Sequence, residues 1–172
     1  NYGSQLTKSI DEIFENFHDS ILIVDAGQKK VSSTIGHSLM NSNPFSQGRY
    51  HQAEKNIHLL IETLKSGDLE EFGKIVESEA LTLHSMMMTS SPYFLLMKPN
   101  TISIIEKIWK FREESGVKAC FTLDAGPNIH LLYPHKDKEE VLSFINSELL
   151  EHTFNNTVIH DKVGRGPEKL DL

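Results

Sequence analysis

The sequence has little cysteine and no long apolar run. Its 172 residues include one cysteine, Cys120, so no intramolecular disulfide can form. Because Cys120 lies inside a predicted strand, we expect a buried, reduced thiol. No apolar run approaches the roughly eighteen residues of a membrane-spanning helix, and residues 1–4 have no apolar signal core. We therefore expect a soluble, cytoplasmic protein that has no membrane partner.

Positive charge is also scarce. Lysine and arginine total 17 against 24 aspartates and glutamates, which gives a formal net charge of -7 and a pI near 5.7. The lysines occur in scattered pairs such as Lys29 and Lys30, or Lys136 and Lys138. A nucleic-acid-binding surface needs a continuous basic patch to follow the phosphates. We therefore expect no nucleic-acid partner.

Two kinds of ligand site are missing from the sequence pattern. The ten glycines are spread singly, which excludes a glycine-rich nucleotide loop, and the pair Gly164 and Gly166 is typical of a turn. None of the nine histidines forms an i, i+4 pair around a glutamate, as zinc helices do. We therefore expect these residues to form no metal site.

The apolar residues recur with periods that predict both strands and helices. A compact run of branched residues at 21–24 predicts a central strand. Apolar residues within 50–64 and 69–83 each fall on one helical face, and Gly67 ends the first helix. Asp68 is the predicted N-cap of the second helix. Because the connection is short, the two helices should form an antiparallel hairpin.

The order of the predicted elements favours an α+β domain, in which helices cover one face of a largely antiparallel sheet. A third helix should run from Pro99 to Gly116, with an inward face made of Ile102, Ile105, either Ile108 or Trp109, and Phe111 or its neighbours. The other predicted elements are a short helix at 9–17, strands at 118–123, 129–133 and 154–163, and a helix with a capping box of Asp137 and Glu140. At this length the chain forms one domain.

The most distinctive stretch is residues 121–128, Phe-Thr-Leu-Asp-Ala-Gly-Pro-Asn, where an alternating strand leads into a tight turn. The alternation resumes at Ile129, so half-buried strands flank the turn on both sides. Asp124 therefore lies at a strand end, where a side chain is held accurately. Asp, Gly, Pro and Asn are also ordinary turn residues. The residues alone leave Asp124 as either a turn residue or a catalytic group.

A second polar stretch follows the first predicted strand. Residues 31–36 read Val-Ser-Ser-Thr-Ile-Gly, and Ser33 could open a short helix. The free amide groups of its first turn would form a site for an anion or a hydroxyl group. The alternative is that Ser32 or Ser33 is only an N-cap.

Together these stretches resemble a known family. The sequence Asp-Ala-Gly-Pro-Asn at 124–128, the serine segment at 31–36 and Ala-Leu-Thr-Leu-His at 80–84 resemble the C-terminal half of the diphosphomevalonate decarboxylases, in the GHMP kinase superfamily. The resemblance implies a ferredoxin-like C-terminal lobe over residues 21–172. Residues 1–20 would be an extension or the remnant of a link to an N-terminal lobe.

The resemblance implies a reaction and roles for individual residues. In this family ATP phosphorylates the tertiary hydroxyl of 5-diphosphomevalonate, after which phosphate and carbon dioxide leave to give isopentenyl diphosphate. Asp124 would be the base on that hydroxyl. Ser33 and Thr34, with the backbone amides of Ala125 and Gly126, would bind the substrate. Some family members have arginine at the position of Thr34, so this lobe need not supply a charged phosphate clamp.

Other matching positions have less defined roles. The resemblance places Ser32, Gly36, Asn128 and His84 beside or behind the substrate contacts. His84 recurs at the matching place in the family, and a buried histidine that supports the site explains it equally well. His37 stands where the family commonly has methionine, so we assign it no role.

The resemblance also implies partners outside this chain. ATP with Mg²⁺ would be the cofactor, held mainly by the N-terminal lobe, which carries the phosphate-binding loop in this family. The small-molecule partner would be 5-diphosphomevalonate. Because family enzymes are often dimers, a homodimer is a further expectation. Without the other lobe, the isolated chain should fold but not turn over substrate.

Two alternatives remain open on the sequence. One is a mevalonate or phosphomevalonate kinase, or a monophosphate decarboxylase, of the same superfamily. The other is a non-catalytic, ferredoxin-like binding module, since such lobes serve many unrelated purposes. Asp124 within the intact motif favours decarboxylation over simple phosphorylation, whereas a binding module would need no carboxylate at this position.

Overall fold

A computed structural model of the protein describes residues 10–27, 40 and 42–164. The strands are β1 (His18–Leu22), β2 (Cys120–Leu123), β3 (Ile129–Tyr133) and β4 (Val158–Lys162). The helices are α1 (Ser46–Ser66), α2 (Leu69–Met88), α3 (Pro99–Ser115) and α4 (Lys138–Phe144). Short 3₁₀ turns lie at Glu12–Phe14, His135–Asp137, Leu150–His152 and Phe154–Asn156, and a π-helical turn at Ile145–Leu149 extends α4.

The four strands form one antiparallel sheet in the order β2-β3-β1-β4. Ser20 at the centre of β1 is opposite Leu131 of β3 and His160 of β4, and Phe121 of β2 is also opposite Leu131. A strand, a helical crossover, a hairpin, a second helical crossover and a closing strand in this order form a ferredoxin-like arrangement. The α+β prediction is therefore confirmed.

Alternation along the strands gives the sheet a covered face and an open face. Leu22, Ile129 and Leu131 are fully buried, whereas Asp19 of β1 and His130 of β3, whose side chains point to the other face, are half-buried. We call the face that carries Asp19, Thr122 and His130 the open face. The covered face packs against α3 and α4 through a core that includes Ile104, Ile105, Ile108, Phe121, Leu123, Val141, Phe144, Ile145 and Leu149.

The antiparallel hairpin of α1 and α2 is confirmed. Gly67 ends α1 in the left-handed conformation, with φ of 73°. The Asp68 side chain caps α2 by accepting a hydrogen bond from the Glu71 amide at 3.0 Å. Near the far end of the pair, Arg49 of α1 forms an ion pair of 2.6 Å with Glu79 of α2. The N-terminal part of α1 therefore lies beside the C-terminal part of α2.

The predicted helix at 9–17 is wrong. Over the described residues 10–17 a single 3₁₀ turn forms, at Glu12–Phe14, and β1 begins upstream of the predicted first residue at position 21. Phe14 and Phe17 are buried in an aromatic cluster against α2, which holds the chain down before it enters the sheet. Because β1 pairs with both β3 and β4, hydrogen bonding to these two strands sets its length, and its own composition does not.

Two predictions near the C-terminus, a capping interaction and the start of a strand, are also wrong. Asp137 makes no side-chain capping bond to any described residue, so no capping box with Glu140 forms, because the preceding 3₁₀ turn runs straight into α4. The strand predicted at 154–163 is shortened to β4. Asn155 and Asn156 adopt left-handed φ angles of 50° and 54°, which asparagine tolerates and a strand does not.

The inward face of α3 differs from the prediction at its first turn. The helix begins at Pro99 and ends before Gly116, as predicted. Ile105 is buried as predicted, but Ile102 is 50% exposed and Thr101 is buried instead. A polar residue therefore occupies a core position at the first turn of α3.

Cys120 is buried and unpaired, as predicted. Burial raises the pKa of its thiol, and the nearby Glu77 carboxylate raises it further. The thiol is thus a packing group rather than a reactive one. Within the described ranges, no helix is both long and apolar enough to cross a bilayer.

The Glu77 carboxylate joins α2, α3 and β2. Its Oε1 accepts hydrogen bonds from Arg112 Nη1 at 2.7 Å and from the Phe121 amide at 3.3 Å. Its Oε2 accepts from Trp109 Nε1 at 2.9 Å and from Arg112 Nη2 at 3.2 Å. Arg112 Nη1 also donates to the Ala119 carbonyl at 3.2 Å. Glu77 is 7% exposed, so these donors replace the water that a carboxylate would otherwise bind.

We expect Glu77→Ala to lower the free energy of unfolding by about 3 kcal/mol, measured by urea denaturation. This is the lower end of the range for breaking a buried ion pair, because the Arg112 side chain stays 32% exposed and can regain water. Glu70→Ala is the control, since the ion pairs of Glu70 with described residues, Lys74 and Lys118, lie on the surface. Equal midpoints for the two variants would show that the Glu77 contacts do not stabilise the fold.

Candidate active site

Asp124 follows β2 directly and is exposed to solvent. Because side chains alternate along a strand, it lies on the same side as Thr122, the side of the open face, while Leu123 enters the core. The Gly126 amide donates to the Asp124 carbonyl at 2.8 Å and closes the turn. The Gly126 amide is thus engaged within the turn, which leaves the Ala125 amide as the better candidate for a ligand contact.

His84 supports the turn from behind. It lies on α2, is 2% exposed, and its Nε2 is 3.3 Å from the Gly126 carbonyl oxygen. Its Nδ1 is 2.9 Å from the Ala80 carbonyl oxygen one turn earlier in α2. Both partners are acceptors, so a neutral imidazole donates to one of them at a time. The predicted site residue His84 is therefore brought to the turn, on its buried side.

Thr101 holds the next residue of the turn. Its Oγ1 donates to the Pro127 carbonyl at 2.7 Å and accepts from the Lys98 amide at 3.1 Å. The residue is fully buried at the N-terminus of α3. Sequence reasoning missed Thr101 because it gave the inward position to Ile102. The available signal was the threonine three residues after Lys98, a spacing at which helix N-termini are often capped by a side chain.

Asn128 ties the turn to the end of β1. Its Oδ1 accepts from the Val24 amide at 2.9 Å and from the Asp25 amide at 3.0 Å. Asp25 in turn accepts from the Gly27 amide at 2.8 Å and lies 3.7 Å from Lys98 Nζ. The segment that leaves β1 is therefore fixed against the turn where it begins. Farther along it, the predicted site residues Ser32, Ser33, Thr34 and Gly36 lie outside the described residues.

The turn is thus held by side chains from three separate parts of the chain. His84 lies on α2 and Thr101 lies on α3. Asn128 lies in the turn itself and bonds the end of β1. Each of these side chains bonds a backbone group, so the path of the backbone is fixed while Asp124 projects outward. The arrangement presents one carboxylate at a defined position on a rigid base, which suits proton transfer from a bound hydroxyl.

The charge of Asp124 influences the pKa of His130. Its Nδ1 is 2.8 Å from Asp19 Oδ2 on the open face. The hydrogen bond to Asp19 raises the pKa of His130, burial opposes this rise, and the charges of Asp19 and Asp124 add to it. The surroundings of Asp124 therefore favour positive charge at His130.

The architecture can be compared with that of known proteins. Residues 20–168 match the sequence model of the mevalonate 5-diphosphate decarboxylase C-terminal domain. The chain belongs to this family. The diphosphomevalonate decarboxylase of Gibberella zeae is 27% identical, over 88% of this chain and 47% of that protein. The decarboxylase family resemblance found in the sequence is therefore confirmed.

Solved structures of the decarboxylase family share the fold. The mevalonate diphosphate decarboxylase of Legionella pneumophila is 28% identical with a TM-score of 0.78, over 88% of this chain and 47% of that one. A structure of MDDEF in complex with MVAPP, AMPPCP and magnesium has a TM-score of 0.78 at 24% identity, over 89% of this chain and 46% of that one. The chain thus spans about half the length of the relatives that it matches.

We expect Thr101→Val to destabilise the chain by about 1 kcal/mol or more, because it leaves the partly buried Pro127 carbonyl and Lys98 amide without this partner at nearly unchanged volume. Chemical denaturation gives the loss, and the amide shifts of residues 124–128 report displacement of the turn. Thr82→Val is the matched control, since Thr82 Oγ1 bonds carbonyl groups of its own helix. A turn whose amide shifts stay at wild-type values would contradict the proposed support.

Proposed function

We propose that this chain is the C-terminal lobe of an ATP-dependent decarboxylase that converts 5-diphosphomevalonate to isopentenyl diphosphate. The observation that carries the proposal is the exposed Asp124 carboxylate on a turn whose backbone is held by His84, Thr101 and Asn128. Membership of the decarboxylase family supports the substrate class. The proposed reaction is that of the relatives, and the proposed position of the base follows from the geometry of the turn.

Asp124 would act on the tertiary hydroxyl of the substrate. A tertiary alcohol is a weak nucleophile, and a fixed carboxylate can accept its proton as the oxygen attacks the γ-phosphoryl group of ATP. A new oxygen–phosphorus bond forms while the bond to ADP breaks. When the phosphate then departs with its oxygen, the negative charge of Asp124 favours the positive charge that develops at carbon. Cleavage of the carbon–carboxylate bond supplies the electrons for the new double bond.

The remaining predicted contacts belong to the same proposal. Ser33 and Thr34 would hydrogen-bond the substrate, and Ser32 and Gly36 would support them. The anchoring of Val24 and Asp25 by Asn128 supports this assignment, because the chain that leads to these residues leaves β1 beside the turn. The Ala125 amide would be a further donor to the substrate.

ATP and magnesium enter the proposal from the relatives, since the MDDEF complex contains AMPPCP and magnesium. Within the described part of this chain, no group of three or more His, Cys, Asp or Glu residues could hold a metal ion. We therefore assign no step of the chemistry to a metal held by these residues. We propose that the nucleotide and its metal bind mainly to a second lobe. That lobe corresponds to the half of the relatives' length that this chain does not cover.

The substrate assignment is tested with a longer polypeptide, in which this chain is joined to the other half that its relatives contain. We expect ATP-dependent release of carbon dioxide from 5-diphosphomevalonate and little from the monophosphate. The 172-residue chain alone should release none. Phosphorylation without carbon dioxide release would indicate a kinase instead, and preference for 5-phosphomevalonate would indicate a monophosphate decarboxylase.

We expect Asp124→Asn to lower the kcat of decarboxylation by about a hundredfold or more in the longer polypeptide, because the amide cannot accept the hydroxyl proton. Asp137→Asn is the matched control, since Asp137 lies at the start of α4 and makes no side-chain capping bond to any described residue. Thermal melting of both variants should stay near that of the wild type. Near-normal turnover by the Asp124→Asn variant would show that another group is the base.

A further inference from the structure

Basic side chains collect at the end of the sheet that lies away from Asp124. β3 leads away from the turn and ends at Tyr133, and His18 of β1 is opposite both Tyr133 and Lys162 of β4. Residues that are directly opposed in an antiparallel pair point to the same face. His18 is in phase with the buried Leu22, so His18 and Lys162 both lie on the covered face.

His18 meets His135 through their ring nitrogens. His18 Nε2 is 2.9 Å from His135 Nδ1, the ring centroids are 5.2 Å apart and the ring planes differ by 19°, so the rings meet edge to edge. One of the two nitrogens must carry a proton and the other must accept it. The pair can take up one further proton on an outer nitrogen and keep this hydrogen bond. The backbone amide of Lys138 donates to the His135 carbonyl, which places this lysine beside the pair.

His160 of β4 lies next to this pair. Its Nδ1 is 2.9 Å from Ser20 Oγ, which is also 2.8 Å from the hydroxyl oxygen of Tyr133. Ser20 is fully buried, whereas His160 is exposed. The polar groups at this end of the sheet therefore form a connected set that reaches from the core to solvent.

The lysines at this end of the sheet have no carboxylate partner. Within residues 10–27, 40 and 42–164, the lysines that form no ion pair are Lys55, Lys136, Lys138 and Lys162, whereas every other lysine and arginine there forms one. All of these but Lys55 lie in β4 or at the junction of β3 and α4. Asp161 is opposite Asp19 and so points to the open face. An anion from solution would supply the charge that the chain does not.

The groups that face His18 oppose a positive charge on its ring. Burial lowers the pKa of His18 most, and the charges of His135, Lys138, Lys162 and His160 lower it further. Because the folded-state pKa is lowered, stability is lost as the pH falls from the ordinary histidine pKa towards the folded value. A bound anion counters these charges, so its binding favours uptake of a proton and becomes tighter as the pH falls.

We propose that the His18–His135 pair, Lys138 and Lys162 form a pH-dependent binding site for the phosphate group of a small molecule, with His160 at its rim. A phosphate group is a compact dianion whose oxygens accept from ammonium and imidazole donors. His18 is 9% exposed, so the exposed His135 makes the contact. When His18 Nε2 donates to His135 Nδ1, the Nε2 proton of His135 is left for the anion.

The site is tested on the 172-residue chain by NMR titration with inorganic phosphate, methyl phosphate and sulfate, each compared with chloride at equal ionic strength. We expect the ring signals of His135 and His160 to shift with the oxyanions. Sulfate keeps its charge throughout, and we expect its dissociation constant to fall about threefold or more from about pH 8 to about pH 6. A response to inorganic phosphate without one to methyl phosphate would assign the free ion, and equal responses would assign a phosphate ester. Ring signals that respond no more than they do to chloride would overturn the proposal.

Variants test which residues hold the anion. We expect Lys138→Met and Lys162→Met each to weaken sulfate binding about threefold, and His135→Gln to remove most of its pH dependence. Lys55→Met is the matched control, because Lys55 also forms no ion pair with a described residue but lies on α1. If the Lys138 and Lys162 variants bind sulfate as tightly as this control, the proposal is wrong. No outcome here depends on decarboxylation, since the site and Asp124 lie at opposite ends of the sheet.

Discussion

The position of the turn that carries Asp124 depends on the buried Glu77 carboxylate. It receives hydrogen bonds from Trp109 and Arg112 of α3 and from the Phe121 amide of β2, so it fixes α2 against both elements. His84 lies about two helical turns farther along α2 and therefore on the same face. One helix thus contacts β2 at Glu77 and the turn after β2 at His84. Displacement of α2 would move the support of the turn with it.

This arrangement separates stability from chemistry. The groups that hold the turn are buried and bond backbone atoms: His84 on Gly126, Thr101 on Pro127, and Asn128 on the end of β1. Asp124 is exposed on the other side of the turn, where solvent or a ligand reaches it. A carboxylate on a backbone fixed from three directions loses little entropy on meeting a substrate, which is the advantage of a preorganised site.

The sequence predicted those features that depend on local chemistry. Gly67 and Asp68 mark a helix end and a helix start through their own conformational preferences, and the hairpin around Asp124 follows from strand alternation on both sides. The features that the sequence could not predict depend on residues that lie far apart in the chain. Glutamate in a helix is normally solvated, so the burial of Glu77 becomes visible only when Arg112 and Trp109 are placed beside it. Likewise, Thr101 enters the core in place of Ile102 because the Pro127 carbonyl offers it a partner.

The most direct test of the proposed base is a crystal structure of the longer polypeptide with 5-diphosphomevalonate and a non-hydrolysable ATP analogue. The decisive quantity is the distance from the Asp124 carboxylate oxygens to the tertiary hydroxyl oxygen of the substrate. We predict about 2.6–3.2 Å, the reach of a general base, with the bonds from His84 and Thr101 to the turn retained. A hydroxyl group out of hydrogen-bond reach of Asp124 and in contact with a different acidic side chain would contradict the assignment.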